Sequence, residues 1–204
     1  AVDLVAAFDG ITSHTGGLII TGTTPATVAE LITINAATSG TVALNAQTIA
    51  QSYDDTAANL ISAFTGITSH TGGLTVSDTG SISAADLNMI NTFKASGTTT
   101  ATATSEITGS AADIATEIGL ITHNGNVNFT ITGVAATIAE LMQINAATSG
   151  TIVLSPGTID RNYSDTAANL AAAFEGITTS TSTLTIDGTV IATVAELITI
   201  NAAT

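Results

Sequence analysis

The carboxylates near predicted loops and strand ends are the residues of this sequence best suited to binding a ligand. Asp54 and Asp55 are adjacent, Asp165 occupies the position of Asp55 in a second copy of its segment, and Asp187 follows a later strand-like run. Carboxylate oxygens are the ligands that Ca²⁺ prefers. No EF-hand loop and no Gly-Gly-x-Gly-x-Asp nonapeptide accompanies them. We therefore expect plain solvation and no cofactor, with weak calcium binding as the alternative.

The three histidines, His14, His70 and His123, are the other candidates for chemistry. His14 and His70 lie in identical Ile-Thr-Ser-His-Thr-Gly-Gly-Leu segments, in predicted turns after helices. At a strand spacing of about 4.8 Å, two repeats hold them about 10 Å apart, too far to share a metal ion. A Ser-His-Asp triad needs three different local environments, whereas a repeat supplies the same one each time. We therefore expect no enzymatic activity.

Composition excludes several classes of partner. The 204 residues carry 16 acidic side chains against two basic ones, Lys94 and Arg161, for a net charge of -14. A protein that binds nucleic acid needs cationic groups to displace phosphate counterions, so nucleic acid is excluded. No run approaches the roughly 18 uninterrupted apolar residues of a membrane span, so we expect none. The chain has no cysteine and therefore no disulfide or thiolate site.

A five-residue pattern recurs along the whole chain. It consists of Ser or Thr, two small or branched apolar residues, an acidic residue or Asn, and then Leu or Ile. The copies follow one another at nearly constant spacing, and the segments 27–68 and 137–178 are identical at 27 of 42 positions. Such periodicity is typical of repeat architectures. The pattern predicts helix starts near residues 1, 27, 56, 83, 110, 137, 166 and 193 of a single repeat array spanning 1–204.

Each copy of the pattern predicts a short helix preceded by a strand. The hydroxyl at the first position caps the helix, and the acidic or amide side chain three residues later reaches back, as in Thr27 and Glu30. Upstream, alternating β-branched residues predict strands at 18–20, 74–76, 102–104, 127–129 and 184–186. Two further runs, at 41–44 and 151–154, are candidates for second strands.

One strand and one short helix cannot bury an apolar face alone, so neighbouring repeats must stack. We therefore expect an α/β protein: a parallel β/α solenoid of about seven to eight coils, each of about 27–29 residues, with one short helix and one or two short parallel strands per coil. The alternative is an all-β solenoid.

The eighth position of each predicted helix alternates between an aromatic ring and an amide. We expect the amides to bond turn backbone inside the stack, as a structural ladder. Seven residues make up this ladder: Phe8, Asn35, Phe64, Asn91, Asn145, Phe174 and Asn201.

A second column of the repeat, eight residues before the caps, is rich in threonine. Thr is a good solvent-facing strand residue, and a regular rank of Thr on a flat sheet can order water. We expect five residues to form a strand face, with ice or glycan binding as an alternative function: Thr48, Thr75, Thr102, Thr158 and Thr185.

Three segments resemble the tandem repeats of very large secreted or surface proteins of cyanobacteria and other Gram-negative bacteria. They are 52–60 (SYDDTAANL), 164–170 (SDTAANL) and 34–41 (INAATSGT). The resemblance covers nearly the whole chain. It implies a bacterial, extracellular or cell-surface setting, often rich in calcium, with structural or adhesive use.

Both ends of the sequence fall inside repeats. Residue 1 lies within a predicted helix that lacks its cap, and residues 193–204 are identical to residues 27–38. Neither end resembles a polar capping repeat, so we expect end-to-end self-association, as part of a longer array or as a filament subunit. We therefore expect a structural protein of an extracellular fibre, surface layer or adhesin stalk.

Overall fold

The structure is a computed structural model and describes residues 1–67 and 69–204. The described residues form ten helices and twelve strands, so the chain is a mixed α/β protein and the all-β alternative is wrong. The helices are α1 (Val2–Phe8), α2 (Val28–Ala37), α3 (Ala46–Ala50), α4 (Ala57–Phe64), α5 (Ala84–Thr92), α6 (Ala111–Glu117), α7 (Ile138–Ala147), α8 (Pro156–Ile159), α9 (Ala167–Phe174) and α10 (Val194–Ala202).

The strands are short and pair in parallel. They are β1 (Leu18–Ile19), β2 (Val42–Ala43), β3 (Tyr53–Asp55), β4 (Leu74–Val76), β5 (Ser81–Ser83), β6 (Thr99–Ala101), β7 (Glu106–Gly109), β8 (Ile121–His123), β9 (Asn128–Ile131), β10 (Ile152–Val153), β11 (Tyr163–Asp165) and β12 (Leu184–Ile186).

The chain divides into two compact units. The first comprises Ala1–Thr79, Asp86–Ala103 and Leu120–Thr122. Within it, α2 packs between α1 and α4, and the strands form a two-stranded sheet, β1-β2, and a four-stranded sheet of order β3-β4-β6-β8. Its interior is built mainly from aliphatic and aromatic side chains without exposed surface, among them Ile34, Leu60, Phe64, Leu74, Val76, Leu87 and Ile90.

The second unit comprises Gly80–Ala85, Thr104–Gly119 and His123–Thr204. Its helices pack in the order α6, α7, α9, α10, and its sheets have the orders β5-β7-β9-β10 and β11-β12. The interior again combines one face of the helices with inward strand residues, namely Ile107, Ile114, Phe129, Ile144, Leu170 and Phe174.

A helix begins at or next to each of the eight predicted starts. A hydroxyl caps the helix at six of these starts, as the pattern implies, whereas the first, at Ala1, has no side-chain cap. Thr27, Thr137 and Thr193 each accept a hydrogen bond from the backbone N–H three residues later. The Glu at that position returns a carboxylate to the backbone N–H of the cap, which completes a capping box.

The strand predictions succeed at some positions and fail at others. Strands occur in the predicted runs at 18–20, 41–44, 74–76, 151–154 and 184–186. The prediction at 102–104 is wrong: β6 ends at Ala101, because Thr99 and Thr100 pair with Leu74 and Thr75 and the chain then turns. The prediction at 127–129 is shifted, because β9 is Asn128–Ile131.

Candidate interaction surface

Two of the four candidate calcium ligands make hydrogen bonds at the starts of helices. Asp55 Oδ1 accepts hydrogen bonds from the Thr56 backbone N–H at 2.8 Å and from Asn59 Nδ2 at 2.7 Å. Asp165 Oδ1 makes the same pair of contacts with Thr166 at 2.7 Å and Asn169 at 2.8 Å. A carboxylate at a helix N-terminus is favoured by the free N–H groups and the helix dipole, so these contacts explain both residues structurally.

The other two calcium candidates are exposed. Asp54 lies on β3 beside Asp55, and adjacent strand residues point to opposite faces. Asp187 follows β12, and its backbone N–H donates to the Asp165 carbonyl at 2.8 Å. Within residues 1–67 and 69–204, no three His, Cys, Asp or Glu side chains come together in a metal-binding group. Calcium binding by these residues therefore stays a prediction.

The prediction that five threonines form one strand face is wrong for two of them. Thr48 lies in α3 and Thr158 in α8, and both are fully buried. Their hydroxyls accept hydrogen bonds from the Ala26 backbone N–H at 2.9 Å and the Ala136 backbone N–H at 3.0 Å. Burial of these hydroxyls satisfies two buried backbone donors, which excludes both threonines from any surface that binds ice or glycan.

The other three threonines of that rank differ in their surroundings. Thr75 is half-buried on β4, Thr102 is exposed in the turn after β6, and Thr185 is exposed on β12. Ice or glycan binding by this column stays a prediction, and only Thr75, Thr102 and Thr185 remain as candidates for it.

The amides of the predicted ladder bind backbone carbonyls near the ends of neighbouring helices. Asn35 Nδ2 donates to the carbonyls of Ser62 at 3.0 Å and Thr65 at 3.1 Å, and Asn145 Nδ2 donates to the Ala172 carbonyl at 2.8 Å. The last carbonyls of a helix lack intrahelical partners, and these amides provide hydrogen-bond donors for them.

The two remaining amides of the ladder are placed differently. Asn91 accepts a hydrogen bond from the Thr99 hydroxyl at 2.6 Å, whereas Asn201 on α10 is exposed.

The rings of the ladder pack against other aromatic residues. Phe64 and Phe174 are fully buried, and each meets a tyrosine edge to face, Tyr53 at 5.3 Å and Tyr163 at 5.4 Å between ring centroids. Phe8, half-buried on α1, contacts His14 in the same manner at 5.1 Å. Edge-to-face contacts of this kind add to the stabilisation that burial provides.

The two tyrosines are residues that the sequence analysis missed. The Tyr53 hydroxyl donates to the Ala26 carbonyl at 2.7 Å, and the Tyr163 hydroxyl donates to the Ala136 carbonyl at 2.9 Å. Burial raises the pKa of Tyr53 to about 12 and also raises the pKa of Tyr163. The available signal was that each tyrosine lies shortly before the aspartate and threonine of a DTAANL segment.

His70 is a fully buried histidine whose ring nitrogens make no hydrogen bond. Its ring lies 4.9 Å from that of Phe64 and 5.6 Å from that of Tyr53. Burial lowers the pKa of His70, and the positive charge of Lys94 lowers it further. The nearby Thr48 backbone raises the pKa, although it makes no hydrogen bond with the ring. The imidazole is therefore held neutral, as part of an aromatic cluster.

An open cleft of about 520 Å³ lies between β12 and α10. Leu184, Leu197 and Ile200 contribute apolar surface to it, and Ser182, Asn201 and Thr204 contribute polar groups. Leu197 and Ile198 are both exposed, at 46% and 64%, although they lie on a regular amphipathic helix. Apolar side chains grouped at an open helix face are typical of a surface that binds another protein segment.

Among the described residues, no helix has the length and apolar character needed to cross a bilayer. Comparison with known protein families, with curated proteins and with solved structures finds no match to this chain.

Proposed function

We propose that this chain is a non-enzymatic structural repeat protein whose short repeats stack as the coils of a parallel β/α solenoid. One observation carries the proposal: hydrogen bonds join residues one repeat apart, and the same bonds recur at corresponding positions later in the chain. Tyr53 and Ala26 are 27 residues apart, as are Tyr163 and Ala136. Asn35 and Ser62 show the same separation, as do Asn145 and Ala172.

Such contacts favour nearest-neighbour stacking because each repeat supplies groups that the adjacent repeat needs. Tyr53 and Thr48 satisfy the carbonyl and the N–H of Ala26, a residue at the start of the preceding repeat. Strands of consecutive repeats also pair in parallel, as in β5 with β7 and β7 with β9, and this pairing favours stacking as well. Repeats that depend on their neighbours in this way form arrays rather than isolated domains.

The setting that we propose is an extracellular fibre, surface layer or adhesin stalk, in which the chain associates end to end. The resemblance of SYDDTAANL and INAATSGT to repeats of bacterial surface proteins supports this setting. The net charge of -14 supports it as well, because spread negative charge keeps a long array soluble and limits lateral aggregation.

Small-angle X-ray scattering of the purified chain over a concentration series that reaches about 1 mM tests this proposal. We expect end-to-end rods whose mean length increases with protein concentration. Separate particles of one size at every concentration would overturn the assembly part of the proposal.

A further inference from the structure

Two identical segments of this chain differ in how much of their surface is covered. Residues 27–38 and 193–204 have the same twelve-residue sequence, and each forms a helix behind a capping box. Leu31 of α2 is 1% exposed, whereas its counterpart Leu197 of α10 is 46% exposed. Because the sequences are identical, the difference comes from the surroundings: α2 packs against both α1 and α4, and Asn35 donates to α4, whereas α10 packs against α9.

The opposite end of the chain carries a counterpart of α4. Residues 1–18 match residues 57–74 at 13 positions, and α1 corresponds to α4 over its full length. In α4, Leu60, Ala63 and Phe64 have no exposed surface. Their counterparts on α1 are all more exposed: Leu4 and Phe8 are half-buried and Ala7 is exposed. The α1 helix therefore leaves open the positions that are covered on α4, the helix that packs on α2.

We propose that α10 of one copy of this chain packs on α1 of a second copy in the arrangement in which α2 packs on α4. Asn201 then donates from Nδ2 to the carbonyls of Ala6 and Asp9 of the second copy, as Asn35 does to Ser62 and Thr65. Leu197 is buried against Leu4 and Ala7. This inference rests on the proposed function, since it specifies the faces through which the copies associate end to end.

The geometry of this contact determines the kind of assembly. The two faces are different, so the interface is heterologous and the copies join head to tail, in an open chain or a closed ring. A contact of two short helices buries less surface than a standard stable interface, so association is weak and appears at protein concentrations near about 1 mM.

The charges near the two faces set the salt dependence of the association. Asp3 and Asp9 on one side and Glu196 on the other are all negative. Because like charges repel less at higher ionic strength, added NaCl strengthens the association.

Sedimentation velocity of the whole chain, with and without single charge substitutions, tests the proposed pairing. Leu197→Glu and Ala7→Glu each place a charge in one face, and both sites are exposed, so the fold tolerates the change. Each variant reduces the association constant by more than about tenfold, because the charge loses water without gaining a partner. Val134→Glu is the matched control: Val134 is 79% exposed and lies in neither face, so its association equals that of the wild type.

A mixture of the two charge variants separates the proposed register from other modes of contact. The Ala7→Glu variant keeps an intact α10, and the Leu197→Glu variant keeps an intact α1. Mixed together, they form a heterodimer and nothing larger, because only one pair of intact faces remains. A mixture that stays monomeric, while the wild type associates, would overturn the pairing.

Disulfide trapping gives a second measurement, which captures a weak contact covalently. The chain has no cysteine, so the Asp9→Cys and Asn201→Cys variants each carry one thiol. On oxidation, the mixture forms the cross-linked heterodimer faster than it forms either homodimer, and faster than Asp9→Cys mixed with Val134→Cys.

The outcomes separate the failure of this inference from the failure of the proposed function. Wild-type association that is insensitive to both charge substitutions would overturn the α10–α1 pairing and leave the structural function standing. A wild-type chain that shows no association at about 1 mM in high salt would overturn the end-to-end assembly itself.

Discussion

The Thr48 hydroxyl accepts a hydrogen bond from the Ala26 backbone N–H at 2.9 Å, across 22 residues of sequence. Ala26 is 1% exposed, so no solvent molecule replaces this contact. The second unit repeats it between Thr158 and Ala136 at 3.0 Å. A threonine that the repeat register places on a strand surface therefore serves as an internal acceptor.

Replacing Thr48 with valine removes this acceptor without changing the size of the side chain. We expect Thr48→Val to lower the free energy of unfolding by about 1–3 kcal/mol, because the buried N–H of Ala26 loses its partner. Urea denaturation measures the change. Thr185→Val, at an exposed strand position, is the control and stays within about 0.5 kcal/mol of the wild type. Equal stability of the two variants would contradict the assignment.

Tyr53 makes stability depend on pH in the alkaline range. Its pKa is raised from 10.0 to about 12, chiefly because burial disfavours the phenolate. As pH rises past 10, the unfolded chain loses the tyrosine proton first, so the contribution to stability present below pH 10 is lost between pH 10 and about 12. Chemical denaturation at several pH values measures this loss. Tyr53→Phe removes the titrating group, and its stability falls less steeply than that of the wild type over that window.

His70 makes stability depend on pH in the mildly acidic range. Burial lowers the pKa of the folded-state imidazole below 6.5, so the unfolded chain takes up the proton first as pH falls. The resulting contribution to stability is present above pH 6.5 and is lost as pH falls below that value towards the folded-state pKa. Tyr53 packs against this ring, and the positive charge of Lys94 also disfavours the protonated imidazole.

The test compares unfolding between pH 7 and pH 5 for the wild type and His70→Phe. His70→Phe keeps an aromatic ring in the cluster and removes the titration, so its stability decreases less on acidification. Identical pH profiles for the two proteins would contradict the role of His70.

Gly72 lies where the backbone of a neighbouring repeat leaves no room for a side chain. A Cβ atom at this position would overlap the carbonyl oxygen of Gln51, whereas a Cβ atom at Gly80 would meet nothing within 4 Å. We expect Gly72→Ala to reduce the melting temperature by an amount equivalent to about 1–3 kcal/mol. Gly80→Ala, the matched control, is neutral or slightly stabilising because it restricts the unfolded chain. Calorimetry that ranks the two variants in the reverse order would refute the close approach.

Leu87 tests the inward face of the helices. It has no exposed surface on α5, so Leu87→Ala removes buried methyl groups and leaves a cavity. We expect a loss of about 2–4 kcal/mol in the free energy of unfolding. Met89, which is 44% exposed on the same helix, supplies the control Met89→Ala. A loss below about 0.5 kcal/mol for Leu87→Ala would show that the helix face is misassigned.

Seven helix starts were predictable because each carries a chemical marker, whereas the first, at Ala1, lacks the hydroxyl. A hydroxyl followed three residues later by Glu, Asp or Asn satisfies free N–H groups whatever the tertiary context, as Thr27 and Glu30 show. The strands directly before the caps were not predictable. A strand of three residues such as β3 or β11, followed at once by a helix, is too short to establish an alternating pattern.

The threonine column failed for a related reason. The repeat register places Thr48 eight residues before a cap, in line with strand residues of other copies, yet Asn45 accepts a hydrogen bond from the Thr48 backbone N–H at 2.8 Å and so begins α3. Ser155 and Pro156 begin α8 in the same way. The capping residues were visible in the sequence, whereas the burial of the threonine that follows depends on the neighbouring repeat and was not.

The duplication of contacts between the earlier and later parts of the chain has a consequence for chain length. The segments 27–68 and 137–178 are identical at 27 of 42 positions, and each contains one helix pair, α2–α4 or α7–α9. Adding or removing one whole period of this kind therefore requires no new type of side-chain contact.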